Sequence, residues 1–182
     1  MLFTEFYDGQ GLGNQLWVYV ATRSIAKKLR MPFKIINFHK FKGSSILKID
    51  NPDSDCNSSY KYIYKEKIFF DPDLNTSVCS FDKDVYKIRP YTKLEGVFQS
   101  EKYLFPDKKC IHDYISIETN YFQRDFKENS CIIYIRGGEY KRHKDLILPK
   151  SYWTNAIQKM LTINNKMEFF IISDDDNYAR KL

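Results

Sequence analysis

The sequence predicts an α/β protein built from strand–helix–strand units, and two observations predict it. Residues 2–38 hold a short apolar run, a glycine-rich turn, a helical hydrophobic stripe and a second apolar run. Residues 131–173 hold two continuous apolar runs flanking another helical stripe. Strands that alternate with helices are the pattern of α/β architecture with parallel pairing. The 182 residues are 43% hydrophobic and 16% aromatic, too apolar for general disorder and enough for a packed core. That length suits one domain or two small ones.

Leu2 to Tyr7 reads as a strand, broken only by Glu5. Gly9 to Gln15 (GQGLGNQ) is a glycine-rich turn. Val18, Ala21, Ile25 and Leu29 then recur at three- and four-residue spacing and mark one helical face. Lys27, Lys28 and Arg30 suit the negative end of the helix dipole, and Pro32 stops the helix. The run from Pro32 to Phe38 is a second strand. Residues 40–90 are rich in Lys, Asp, Asn, Ser and Tyr, with short apolar pieces such as Ile68 to Phe70, and are expected to be loops and irregular structure. Leu94 to Ser100 (LEGVFQS) reads as a strand, and the following residues to Ile115 suggest a helix that restarts at Pro106. Residues 116–130 are a polar connection. Cys131 to Ile135 is expected to be a buried parallel strand. After the polar loop GGEYKRHKD, Pro149 and Ser151 announce a helix with Trp153, Ala156, Ile157, Met160 and Leu161 on one face. Phe169 to Ile172 is a further buried strand, and Ser173 can cap a helix whose first turn holds Asp174, Asp175 and Asp176.

Composition excludes several classes. The net charge of +6 comes from lysines scattered among acids, a solvated surface, with no basic–aromatic motif of a nucleic-acid module. Cys56, Cys79, Cys110 and Cys131 lie far apart without the spacing of a zinc site, and a disulfide framework is not expected. The N-terminus lacks the basic and apolar segments of a signal peptide, and no apolar stretch approaches the roughly 20 residues of a membrane span. The sequons at Asn57 and Asn75 are then without consequence in a cytosolic protein.

If the strands before Arg136 and Ser173 are parallel neighbours, about 4.8 Å apart, both residues lie at the carboxyl edge of one sheet, where α/β folds bind ligands. A guanidinium beside Asp174 and its neighbours suits a nucleoside diphosphate: a cation for phosphate oxygens, and acids for ribose or base donors. Taken alone, Arg136 is a surface arginine and Asp176 an acidic helix start. The glycine turn allows three meanings. Gly9, Gly11 and Asn14 miss the third glycine of a dinucleotide fingerprint, and no acid ends the second strand. The Gly-Lys-Ser/Thr ending of a Walker A loop is absent. The remaining meaning is a turn that lets a ligand approach bare backbone at a helix N-terminus.

Five elements carry a resemblance. GQGLGNQLWVYVATRSIAKKL is similar to the opening of α-1,2-fucosyltransferases, with their G-G-L-G-N-Q element, and LEGVFQSEKYL resembles the family's L-x-G-Y-[FW]-Q-S-E-K-Y-F. IIYIRGGEY occupies the place of V-H-x-R-R-G-D-Y, LPKSYWTNAI that of L-P-x-x-Y-Y-x-x-A-I, and FFIISDDDNYARK that of F-F-x-F-S-D-D-x-x-W-x-K. Their order spans Gly9 to Lys181. The resemblance implies a GT-B-like fold: a Rossmann-like, acceptor-side lobe over residues 1–125, then an incomplete second Rossmann-like lobe over 126–182 that begins the GDP-sugar site. It implies metal-independent, inverting transfer of L-fucose from GDP-fucose to a sugar hydroxyl in an α-1,2 linkage, for glycan or surface-polysaccharide synthesis, with no cofactor. Arg136 matches the arginine that stabilises the departing diphosphate, with Glu139 as a candidate base. Gly11, Gly13, Asn14, Gln15, Gly138, Tyr140, Ser173, Asp174 and Asp175 correspond to the donor site. The implied partners are a nucleotide sugar and a glycan acceptor, not nucleic acid. The implied location is the cytoplasm, with peripheral association at a membrane's inner face. Tyr134, Gly137 and Glu139 replace the signature's histidine, second arginine and aspartate, and the family's later S/T-x-F-S-W-W element is not in these residues. An alternative is therefore a truncated or diverged non-catalytic relative that binds a nucleotide sugar or a partner completing its second lobe. A metal-dependent GT-A transferase with Asp174 to Asp176 as metal ligands leaves the glycine turn unexplained.

Overall fold

The computed structural model describes residues 1–52, 57–73, 76–104, 111–117, 126–142 and 144–182. Strands β1 (Leu2–Glu5) and β2 (Phe33–Ile36) flank helix α1 (Leu12–Leu29), and β3 (Leu47–Ile49), β4 (Tyr62–Lys65), β5 (Ile68–Asp71), β6 (Thr76–Cys79) and β7 (Thr92–Glu95) follow. After these come α2 (Ile111–Tyr114), β8 (Ile115–Ile117), β9 (Ser130–Ile135), α3 (Lys150–Ile163), β10 (Glu168–Ser173) and α4 (Asp176–Ala179). The chain divides into two compact units, Met1–Tyr121 and Phe122–Leu182. It is a mixed α/β protein whose four-stranded parallel sheet, in the order β2-β1-β7-β4, is compatible with a Rossmann-like fold. Among the described residues no helix is long and apolar enough to cross a membrane.

In the first unit, alternation along each strand sorts the side chains onto two faces. Leu2 and Phe6 of the β1 stretch, with Phe33, Ile35 and Leu94, join Val18, Ala21 and Ile25 of α1 in the core. The helical stripe expected from the sequence is this buried face, with Leu29 packed partly against it. The helix ends at Arg30, in the left-handed conformation at φ 54°, with Met31 N–H donating back to the Ala26 carbonyl at 2.9 Å. That return bond lets a non-glycine residue close the helix. On the opposite face Lys93 reaches Glu5 at 3.0 Å, and the Asn37 amide donates to the other Glu5 oxygen at 3.0 Å. Burial opposes the Lys93 charge, and the Glu5 and Tyr7 oxygens outweigh it, so the ammonium is held above its ordinary value.

Several expectations need correction. Residues 40–90 contain β3, β4, β5 and β6, not loops alone. These strands have only three or four residues, and Lys, Asp, Thr or Ser limits their apolar character, so periodicity was too short to register. The LEGVFQS strand spans Thr92–Glu95 and stops at Gly96, where the chain turns. The Ser100 side chain caps a single 3-10 turn at Glu101–Tyr103, and the expected restart at Pro106 lies outside the described residues, as do Cys56, Asn75 and Cys110. Cys79 and Cys131 carry free thiols.

In the second unit β9 and β10 pair in parallel over six residues, Ser130↔Glu168 to Ile135↔Ser173. Neither strand is buried on both faces. Ile132, Tyr134, Ile171 and Ile172 are 50%, 58%, 58% and 49% exposed, and Trp153, Ile157 and Met160 of α3 line a cavity together with Cys131 to Tyr134 and Phe169.

One carboxylate of the first unit gives a pH-dependent stability. Asp82 accepts from Lys67 at 2.6 Å, from the Asp84 N–H at 2.9 Å and from the Tyr64 hydroxyl at 2.9 Å. The Lys67 contact, foremost, lowers its pKa from 3.8 to about 2. The folded state therefore binds this proton less readily than the unfolded chain, and the contribution is complete above pH 3.8 and lost as pH falls toward about 2. In urea titrations across that range the parent should lose stability more steeply than Asp82→Asn. Equal slopes would show that Asp82 is not the group concerned.

Candidate functional site

The carboxyl edge of β9 and β10 brings six of the sequence-derived residues together: Arg136, Gly138, Tyr140, Ser173, Asp174 and Asp175. Arg136 follows β9 directly, and its guanidinium carbon lies 4.4 Å from the centre of the Tyr140 ring. Gly137 and Gly138 follow as a turn whose N–H groups both donate to Asp174 Oδ1, at 2.7 and 3.2 Å. Glu139–Arg142 then form a 3-10 turn, and the Glu139 side chain lies outside the described residues. Parallel pairing of Ile135 with Ser173 sets the two strand ends side by side and fixes this arrangement.

The acidic residues here are anchored by their own unit. Ser173 does not cap the last helix. Its hydroxyl accepts from the Asp175 N–H and donates to the Asp175 carbonyl, both at 3.0 Å. Asp175 is the cap, accepting from the Tyr178 N–H at 2.9 Å, so only Asp176 lies in the first turn of α4. The Lys141 ammonium also contacts the Asp175 carboxylate and, with the Tyr178 N–H, holds its pKa below the ordinary value. The stretch is thus a serine turn at Ser173, a carboxylate on the glycine turn at Asp174 and a cap at Asp175, local side-chain to backbone bonds of the kind that compete with helix at Ser and Asp. Among the described residues no cluster of His, Cys, Asp and Glu could hold a metal ion.

The glycine turn is in the first unit, at the carboxyl end of β1. Gly9, at φ 80°, requires its residue type by conformation. Gly11 is the N-cap of α1, without a side-chain cap, and Gly13 lies inside the first helical turn. A Cβ added at Gly9, Gly11 or Gly13 would meet no atom within 4 Å, so packing does not explain these glycines, and the space over them is open. Asn14 accepts from Gln99 Nε2 at 2.7 Å. Gln15, read from the sequence as a donor contact, is fully buried: its amide donates to the Lys40 carbonyl and accepts from the Lys42 N–H, both at 2.9 Å. It clamps the segment after β2 and is not presented to a ligand.

Two residues that sequence reasoning missed stand out. Gln99 was visible only as a letter within LEGVFQS. Glu66, buried at 8% exposure, accepts from the Val97 and Phe98 N–H groups, both at 2.8 Å. The signal that could have pointed to them is Gly96: a Cβ there would sit 2.4 Å from Glu66 Cβ.

Comparison with known proteins adds no relative. No family model, no curated protein and no solved structure matches the chain.

Gly137 gives a test of the site's geometry. A Cβ at this position would lie 2.6 Å from Tyr178 Cδ1 and 3.0 Å from Asp175 Cβ. Gly137→Ala should destabilise the second unit by about 1–3 kcal/mol, the usual range for overpacking. Chemical denaturation, followed by a probe in that unit, measures the shift. An unchanged midpoint would mean that Tyr178 does not close over the turn.

Proposed function

We propose that the chain is a GDP-sugar-binding protein of glycosyltransferase type, related to inverting α-1,2-fucosyltransferases, with a two-lobed GT-B architecture. The observation that carries the reading is the single edge at which Arg136, the Gly137–Gly138 turn and Asp174 converge. A guanidinium fixed at the carboxyl end of a parallel strand can neutralise a departing diphosphate without a metal, and its planar fork suits phosphate oxygens. The five motifs in family order supply the choice of donor, GDP-fucose, and of a glycan hydroxyl as acceptor. The second unit is assigned the nucleotide and the first the sugar-side contacts, through Gly11, Gly13 and Asn14. The cytoplasmic, membrane-peripheral setting belongs to the same reading.

One observation favours a second reading, a diverged relative that binds the nucleotide sugar without transferring it. The space in which the family's second arginine would begin is closed by Tyr178 and Asp175 against Gly137. Preorganised donors around a leaving group typically contribute about 10²–10³ in rate each, so one cation fewer diminishes transfer more than binding.

Calorimetry separates these readings. GDP should bind more tightly than GMP, and equally well in EDTA and in excess Mn²⁺. Arg136→Ala should weaken GDP binding by roughly ten- to a hundredfold, since a hydrogen bond to a charged group contributes about 1.5–3 kcal/mol. Arg136→Lys should recover part of that loss. A strict need for Mn²⁺, or an Arg136→Ala variant that binds GDP like the parent, would overturn the assignment. A radiolabelled GDP-fucose assay with galactoside acceptors then distinguishes transfer from binding alone.

A further inference from the structure

The strand order β2-β1-β7-β4 contains a reversal. From β1 the chain passes through α1 to β2 on one side, and β7 lies on the other side of β1. In open parallel sheets, the crevice at the carboxyl ends of strands flanking such a switch point is where ligands bind. Here those ends are followed by Asn14 and by Gln99, whose side chains meet at 2.7 Å.

We propose that this amide pair is a recognition site for the hydroxyls of a neutral sugar, held in place by Glu66. With Gln99 Nε2 donating to Asn14 Oδ1, the pair retains Gln99 Oε1 as an acceptor and the Asn14 amino group as a donor. Reversing both amides leaves the same complement of one carbonyl and one amino group. A hydroxyl donates and accepts at once, so it satisfies both. A phosphate oxygen only accepts, and the amide carbonyl would repel it. Two lysines beside this edge do not change that balance: Lys40 is paired with Asp8 at 2.5 Å and Lys93 with Glu5 at 3.0 Å.

Glu66 is a positioning residue for the pair. Its Oε2 takes the N–H groups of Val97 and Phe98. Phe98 is fully buried at φ 50°, a strained conformation for a non-glycine residue, with its ring edge-on to Tyr103 at 5.2 Å. The turn is thus held from one side by a carboxylate and from the other by an aromatic contact, and Gln99 projects outward from it. This inference rests on the transferase reading for its choice of a galactoside as the probe.

The test is NMR on the ¹⁵N-labelled full chain, with lactose, inorganic pyrophosphate and GDP titrated separately. Lactose should shift the side-chain amide signals of both Asn14 and Gln99 saturably, and pyrophosphate should not. Gln99→Leu, at an exposed position, should weaken lactose binding by about three- to tenfold, the range of a neutral hydrogen bond. Glu66→Ala should match that loss, and Glu66→Gln, which keeps an acceptor for the turn, should restore most of it. If Glu66→Ala does not fold, Gln99→Leu and Glu66→Gln carry the test. Pyrophosphate shifting the pair while lactose does not, or no response to either, would overturn the inference. The backbone signals of Gly137 and Gly138 report GDP independently. Lactose binding without a GDP response would therefore sink the nucleotide reading and leave this site standing.

Discussion

The insertion of β7 beside β1 is the constraint on which the first unit depends. The two strands are separated by most of the unit's sequence, yet Leu2 and Phe3 stand opposite Thr92 and Lys93. Closing so long a loop carries an entropic cost that grows only slowly with length, and burial of Leu2, Leu94 and Phe6 against α1 offsets it. Once β7 is there, β1 becomes an interior strand, the switch point exists, and the turn after Gly96 is brought beside the N-terminus of α1. The same pairing explains the Glu5 that interrupts an otherwise apolar strand. Lys93 arrives beside it, Asn37 completes it, and a charge that would be costly to bury alone is matched.

The second unit is organised by a different economy, in which a loop is fastened by its own acids. Asp174 fills the N–H groups of the Gly137–Gly138 turn, Asp175 caps α4 and meets Lys141, and Ser173 ties the intervening backbone. The result is a hydrogen-bonded loop that carries Arg136 and Tyr140. Preorganisation of this kind favours charge stabilisation, because the dipoles need not reorient when a ligand's charge arrives. The loop also determines which residue can stand at 137. With Tyr178 and Asp175 against it, glycine fits and a side chain does not.

The two units differ in how their sheets are covered. In the first, α1 and the aromatic residues Phe41, Phe98 and Tyr103 enclose one face, and the other combines a buried Phe3 against Tyr60 with the polar set Lys93, Glu5 and Tyr7. In the second, α3 packs against a two-stranded sheet, and Ile132, Tyr134, Ile171 and Ile172 keep much of their surface open. The exposed side chains belong to strands whose composition is that of a two-sided interior, which is why their sequence reads as buried.

Long, strongly periodic segments were legible in the sequence. The stripe Val18, Ala21, Ile25 and Leu29 identified α1, and the runs at 131–135 and 169–172 identified β9 and β10, because apolar spacing follows directly from helix and strand geometry. The convergence of Arg136 with Ser173 and Asp174 was also legible, since parallel neighbours in register must end together. Tertiary structure alone decided the rest. It paired β4 with β7 in a region that reads as loop, buried Gln15 as a clamp, and gave the helix cap to Asp175 in place of Ser173. It joined Glu66 to the turn at Gly96 and Gln99 to Asn14. These are contacts between residues 25 or more positions apart, or choices among adjacent hydrogen-bonding side chains. Local propensity carries no information about either, because the partner that decides them arrives only when the chain has folded.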